Sequence, residues 1–330
     1  MCYNMNMRIS DELKSASVAI MGMCKNAGKT TVLNSILQGM GDFCMGLTSI
    51  GRDGEETDVA TATPKPRLYV KSGTVFATAQ TLLKYCDTTL EVLDTSGIYT
   101  SLGEVILLKA KSDGNIQIAG PSTVEGLIKI HSLMKQYGAD KCFFDGAISR
   151  KSLSVPSLCD ETVLCSGASY SRSMSATVND TAYFAQLFTL DVANTKPVHE
   201  YKYALSFLSE EIKTDSQDAV RQALQIHGAV KEISVNGAIT DSFITMLLTS
   251  GVRDCTLTAE DPSRLLMSHS LFQKCTVRNI KLQVLSRSVL RAIAINPFSA
   301  YGAGYDANAF YDLMCKAAEP LKIPVFDVMR

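Results

Sequence analysis

Two hydrophobic periods take turns along this chain. Val18, Ala19, Ile20 and Met21 form a short unbroken apolar run, as a strand buried on both faces requires. Val32, Leu33, Ile36, Leu37 and Met40 follow at helical spacing, and Gly39 and Gly41 supply the stop. Residues 43–50 read as a second strand, 68–75 as extended chain, 77–85 as a helix and 90–93 as a buried strand. Residues 105–110 and 116–119, joined by Ser112-Asp113-Gly114-Asn115, predict a hairpin with a D-G turn. Pro121 and Ser122 suit a helix start; Leu127, Ile130, Leu133, Met134 and Tyr137 repeat on one side, and Gly138 ends the run. Strands at 142–144 and 163–165 and a helix through 182–187 complete the first set.

The polar, Pro-containing stretch 191–200 reads as a linker. Beyond it the alternation resumes. Helices are expected at 219–225, 241–249, 262–272 and 307–318, and strands at 232–235, 255–258, 282–285, 290–295 and 325–328. Strands alternating with helices predict an α/β fold with a mostly parallel sheet. The expected division is a domain over 1–190 and a second, smaller α/β domain over 201–330 for partners or a ligand.

Composition narrows the function classes. At 330 residues, 46% hydrophobic and 20% charged, the chain is long and apolar enough to fold around substantial cores. A net charge of −1 with no basic run argues against nucleic-acid or membrane-surface binding, which rest on clustered Lys and Arg. No apolar stretch reaches the roughly 18 residues of a membrane helix, and the first residues lack a signal-peptide layout, so a cytoplasmic location is expected. The ten cysteines are scattered without C-x-x-C and read as small core residues in a reducing compartment. The four histidines lack ligand spacing.

The chemistry-bearing run is 17–31, SVAIMGMCKNAGKTT. A strand, a Gly-bearing loop, then Gly28-Lys29-Thr30 opening a helix is the arrangement of a P-loop. Its main-chain N–H groups and helix N-terminus meet phosphate, its lysine bridges the outer phosphates, and its hydroxyl residue ligates Mg2+. The expected phosphate-binding set is Gly22, Lys25, Asn26, Ala27, Gly28, Lys29, Thr30 and Thr31. The usual spacing puts a first glycine at position 23, which here is Met23, with Gly22 one residue earlier.

Such sites place an acid at the end of a neighbouring buried strand to organise Mg2+. Asp145, closing the apolar KCFFD, is the favoured candidate, and Asp94, closing LEVLD, is the alternative; either could instead cap a turn. Thr48–Asp58 packs Asp53, Glu55, Glu56 and Asp58 behind an apolar strand, so that Asp53 or Glu55 could polarise a water near the γ-phosphate, or the run could be a solvated loop. Catalytic roles are thus expected of Lys29, Asp53 and Asp145. Arg150 and Arg172 each follow a strand end, where a guanidinium meets phosphate or solvent. Gly120–Thr123 opens a helix, as an anion site or as a cap. Asn296–Gly304 forms a Gly-rich loop at a strand's C-terminal end, suited to a small molecule or to a partner. The expected fold class becomes P-loop NTPase-like.

Several phrases together resemble the P-loop reactivase subunits of adenosylcobalamin-dependent amino-acid aminomutases, of the lysine 5,6-aminomutase type. They are GMCKNAGKTT (22–31), TSIGRDGE (48–55), LGEV (102–105), AGPST (119–123), DGAISRKS (145–152), NPFSAYG (296–302) and PVFDV (324–328). The resemblance implies a cytosolic ATP-binding chaperone, acting with a second ATPase subunit to release damaged cobalamin. It would hydrolyse ATP slowly until its partner enzyme speeds it. Lys29 and Thr30 take the family's phosphate and Mg2+ positions. On that reading ATP·Mg2+ orders loop 51–58 and hydrolysis releases it. KNAGKTT (25–31) is also similar to the loop of molybdopterin-guanine dinucleotide B-type accessory proteins and of dethiobiotin synthetase. A metabolic kinase, an ATP-dependent ligase and a nucleotide-loaded accessory protein therefore stay open, since a shared loop does not choose among jobs.

Overall fold

The computed structural model describes residues 8–41, 43–50, 67–147, 158–194 and 200–328. In chain order, α1 (Ile9–Glu12) precedes β1 (Ser17–Gly22), α2 (Lys29–Gly39) and β2 (Met45–Ser49). Then come β3 (Leu68–Val70), β4 (Val75–Ala79), β5 (Leu90–Thr100), β6 (Gly103–Ala110) and β7 (Gly114–Ile116). The helix α3 (Val124–Gln136), β8 (Lys141–Ala147), β9 (Glu161–Gly167) and α4 (Met174–Leu187) follow. A second group runs through β10 (Asp191–Val192), β11 (Tyr203–Ser206), β12 (Glu211–Thr214), α5 (Gln217–His227), β13 (Glu232–Val235), β14 (Ile239–Thr240) and α6 (Asp241–Thr249). It continues through β15 (Cys255–Ala259), β16 (Leu265–Leu266), α7 (His269–Val277) and β17 (Ile280–Val284). The chain ends with β18 (Val289–Asn296), α8 (Ala307–Ala318) and β19 (Val325–Asp327).

The first compact unit comprises residues up to 185 together with 288 onward. Its nine-stranded sheet has the order β19-β18-β9-β1-β8-β2-β4-β6-β5, parallel from β19 to β4 and antiparallel at β6 and β5. All six residues of β1 are buried, as befits a central parallel strand covered on both faces. Val32, Leu33 and Ile36 of α2 pack on Ile20, Phe143, Val163 and Cys165, which builds the core on one side of the sheet. The chain runs from β1 toward β2 at one side and later from β9 through β18 to β19 at the other. Its direction therefore reverses about β1, where open α/β sheets place their ligand crevice at the C-terminal strand ends.

The second unit, Gln186–Arg287, has its own six-stranded sheet of order β10-β17-β15-β13-β11-β12, in which β11 alone runs antiparallel, to β13 on one side and β12 on the other. Neither β11 nor β12 was expected from periodicity: Glu211-Ile212-Lys213-Thr214 carries a single apolar residue, and Tyr203–Ser206 follows closely on the polar stretch read as a linker. The expected domain of residues 201–330 is corrected at its far end. β18 pairs with β9 from Val289 to Asn296, so the last segment completes the first sheet instead of the second.

Four local expectations also change. Residues 77–85 split into the end of β4 and a 3-10 turn over Gln80–Tyr85. β6 pairs with β4 and β5, whereas β7 pairs with β3; Asp113 accepts from the Ser72 N–H at 2.9 Å, which ties the D-G bend to the β3 side in place of a tight hairpin. The strand at Leu90 continues to Thr100 as a largely exposed sheet edge. The 262–272 helix becomes a 3-10 turn capped by Asp261, the short β16 and α7. Among the described residues no helix is long and apolar enough to cross a membrane.

Candidate functional site

The site is built where β1 ends. Gly22 is followed by the turn 23–28 and then by α2, which begins at Lys29. Gly28 caps α2 in the left-handed region at φ 91°, and Asn26 also has positive φ, at 62°. These two residues reverse the chain, so position 23 need not be glycine. Met23 keeps ordinary backbone, donates its N–H to the Cys165 carbonyl at 2.8 Å and buries its side chain. The irregular spacing is thus absorbed: Met23 extends the strand ladder and the tight bend falls at Asn26 and Gly28.

Gly22 makes room for a lysine. A Cβ built on it would stand 3.0 Å from Lys29 Cδ and 3.1 Å from Lys29 Nζ, so the Lys29 side chain lies back across the end of β1. Ala27 is buried and Thr30 and Thr31 are half-buried, while Lys25 is exposed.

Asp145 sits beside this turn. It is in register with Ile20 of β1 and with Ser49 of β2, and its carbonyl accepts from the Ile50 N–H at 2.9 Å. Strand alternation puts its side chain on the sheet face of Phe143 and Ile20, which α2 covers. Its Oδ1 is shielded from water and has no hydrogen-bond partner. Burial pushes the Asp145 carboxyl above the usual range, and the Lys29 charge opposes that rise. The same ammonium offsets burial at Cys24, and at Cys165, whose thiol burial drives up to about 12. Lys29 is therefore the positive charge that Asp145, Cys24 and Cys165 share.

Two further segments pack at the C-terminal ends of the strands, one on β2 and one on the turn itself. Gly120 packs against Thr48 Oγ1 and the Ser49 carbonyl so tightly that a Cβ there would overlap both. Its N–H donates to Ser49 Oγ at 3.3 Å, and Thr123 caps α3 by accepting from the Gly126 N–H. The AGPST phrase thus locks α3 to the end of β2, and its cap is already filled by Thr123. On the other side Asn296, at the end of β18, lies against Gly28: a Cβ there would meet Asn296 Cβ at 3.2 Å. Asn26 Nδ2 donates to the Tyr301 hydroxyl at 3.2 Å.

Of the expected residues, the fold brings together Gly22, Asn26, Gly28, Lys29 and Asp145. Asp94 is not among them. It lies on β5 with four strands between it and β1, roughly 24 Å at ordinary strand spacing, and its oxygens accept from the Thr95 N–H and the Tyr137 hydroxyl. Arg172 is exposed in the turn after β9, at the sheet edge that carries the site. Asp53, Glu55 and Arg150 lie outside the described residues. Ser49, Asn296 and Tyr301 were not assigned to the phosphate loop from sequence. The sign was present in the NPFSAYG phrase, but which strand it follows in space was not. Among the described residues no cluster of three or more His, Cys, Asp or Glu side chains gathers as a metal-binding cage. Comparison of the chain with protein-family profiles, with curated proteins and with solved structures gives no match.

Proposed function

We propose that the chain binds ATP with Mg2+ at the C-terminal end of β1, with residues 22–31 around the phosphates. One observation carries the reading: Lys29 folds back over Gly22 at a helix N-terminus, beside a carboxylate oxygen of Asp145 that has no partner. A buried oxygen left so costs about 1–3 kcal/mol, a penalty that proteins keep where a ligand relieves it. Mg2+ fits these donors. It prefers one or two carboxylates plus substrate phosphates to an all-protein cage, and Asp145 with the Thr30 hydroxyl offers that set. Bound there, the ion would supply charge neutralisation for the β- and γ-phosphates. Lys29 would hold the outer phosphates, and main-chain N–H groups of the turn and of the first turn of α2 would orient the rest.

The use made of the nucleotide follows the phrase resemblance: ATP-driven reactivation of a cobalamin-dependent amino-acid aminomutase, together with a second subunit. A P-loop NTPase-like first unit and a smaller α/β unit for the partner complete the proposal. Calorimetric titration with ATP, with and without Mg2+, tests the site. Binding that needs Mg2+ and is lost in Lys29→Ala is the expected result; equal affinity in the variant would overturn it. Incubating a cobalamin-inactivated aminomutase with the chain, its second subunit and ATP tests the use. Recovery of activity is expected in the wild type and not with Lys29→Ala.

A further inference from the structure

The loop 297–305 is the one feature beside the turn that the phosphate reading leaves without a task. It is anchored at both ends. Asn296 donates nothing to it but accepts, through Oδ1, from the Phe298 N–H at 3.0 Å, and the Tyr305 N–H closes the loop on the Pro297 carbonyl at 2.8 Å. The Tyr305 hydroxyl bonds Ser171 and Thr177, and its ring meets Phe310 edge-on at 5.1 Å. The Ala300 N–H donates to Ser169 Oγ at 3.1 Å, which pins the middle of the loop to the turn after β9. Within this fixed frame two large rings stay in water, Phe298 at 60% and Tyr301 at 51% exposure. Two exposed aromatics held close together on an anchored loop often belong to a binding surface.

Their position suits a nucleobase. β18 stands two strands from β1, about 10 Å at ordinary strand spacing, which matches the reach from a nucleotide's inner phosphates across its ribose to the base. The Asn26–Tyr301 hydrogen bond ties the ring to the phosphate turn itself, and Asn296 packs on Gly28 at the start of α2. A flat π-surface stacks on Phe or Tyr whatever its edge pattern. Resting on the phosphate reading above, we infer that Phe298 and Tyr301 form the base-stacking wall of the site and that the nucleotide's base lies on this loop.

Two ligands separate the base from the phosphates: Mg·ATP and Mg·tripolyphosphate, titrated against the wild-type chain and the Phe298→Ala/Tyr301→Ala double variant. The inference expects ATP to bind the double variant roughly tenfold to a hundredfold more weakly, while tripolyphosphate binds both proteins equally. Equal ATP affinity in the two proteins, with tripolyphosphate bound, overturns the stacking wall and leaves the phosphate site standing. If neither ligand binds the wild type, the phosphate reading itself fails. The chain has no tryptophan, so Phe298→Trp gives a single reporter on the wall. Its fluorescence is expected to change on adding Mg·ATP and to stay constant with Mg·tripolyphosphate; the same response to both would count against base stacking.

Discussion

Lys29 lies against Gly22, its Nζ only 3.1 Å from where a Cβ on that glycine would sit. The lysine and the glycine are thus a matched pair: the missing side chain at 22 is the space the ammonium occupies. Gly22 does not need positive φ, so alanine fits its backbone, and the atoms it would meet belong to a flexible side chain. Gly22→Ala is therefore expected to unfold at nearly the wild-type denaturant midpoint, within about 1 kcal/mol. The displaced lysine would lose its aim, and ATP affinity is expected to fall about tenfold or more. Equal affinity measured by calorimetry would show that the position of Lys29 over β1 is irrelevant to binding.

Asp145 gives a prediction about stability with a definite sign. Burial raises its carboxyl pKa in the folded chain, so the folded state favours the protonated form. Ionised Asp145 then opposes folding at neutral pH, and the penalty disappears as pH falls into the ordinary carboxylate range. Asp145→Asn is expected to be more stable than the wild type by about 1–3 kcal/mol at pH 7.5, with the gap closing toward pH 4. With Mg·ATP at about 1,000 times its Kd the order is expected to reverse, since the ligand then adds about 4.1 kcal/mol to the wild type and much less to a variant that has lost its Mg2+ carboxylate. Chemical denaturation at both pH values, with and without ligand, checks all three statements.

How much of this was legible in the sequence depends on whether a feature is local. The β1–turn–α2 unit was, because Val18–Met21 and Val32–Leu37 carry opposite periods on either side of Gly28-Lys29-Thr30. Asp145 was also legible, as the acid closing an apolar run. Asp94 closes a similar run, and only pairing separates them: one strand lies beside β1, the other at the sheet's exposed edge. Asn296 and Tyr301 reach the site because β18 crosses back to β9 after the whole second unit, Gln186–Arg287. Periodicity says what a segment is and nothing about which segment it will meet.

His131 predicts pH dependence of the opposite sign. Its ring packs edge-on to Phe144 at 5.4 Å, and Nε2 is shielded from water with no hydrogen-bond partner. Burial holds its pKa below the ordinary value near 6.5; Lys135 acts in the same direction and Asp160 against it. The folded state thus prefers the neutral ring. The stability this contributes is complete above pH 6.5 and is lost as pH falls through that value toward the lower folded pKa. His131→Phe is expected to flatten the fall in melting temperature between pH 7 and 5. An unchanged slope would assign that fall to other groups.

The last prediction concerns what ties the returning segment to the first sheet. Glu161 opens β9 with no solvent exposure; its Oε1 accepts from Arg291 Nε at 2.7 Å and its Oε2 from the Lys14 N–H at 3.0 Å. Arg291 is the extra residue where β18 shifts register between Leu290 and Ala292, and a bulge of this kind re-aims a side chain. Removing the guanidinium leaves a buried carboxylate with one main-chain donor. Arg291→Met is expected to cost about 3–5 kcal/mol in urea unfolding, more than the ion pair itself contributes. Converting the partner as well, in Arg291→Met/Glu161→Gln, removes the stranded charge and is expected to recover most of the loss. If the single variant loses less than about 1 kcal/mol, water reaches Glu161 and the pair is not what fastens β18 to β9.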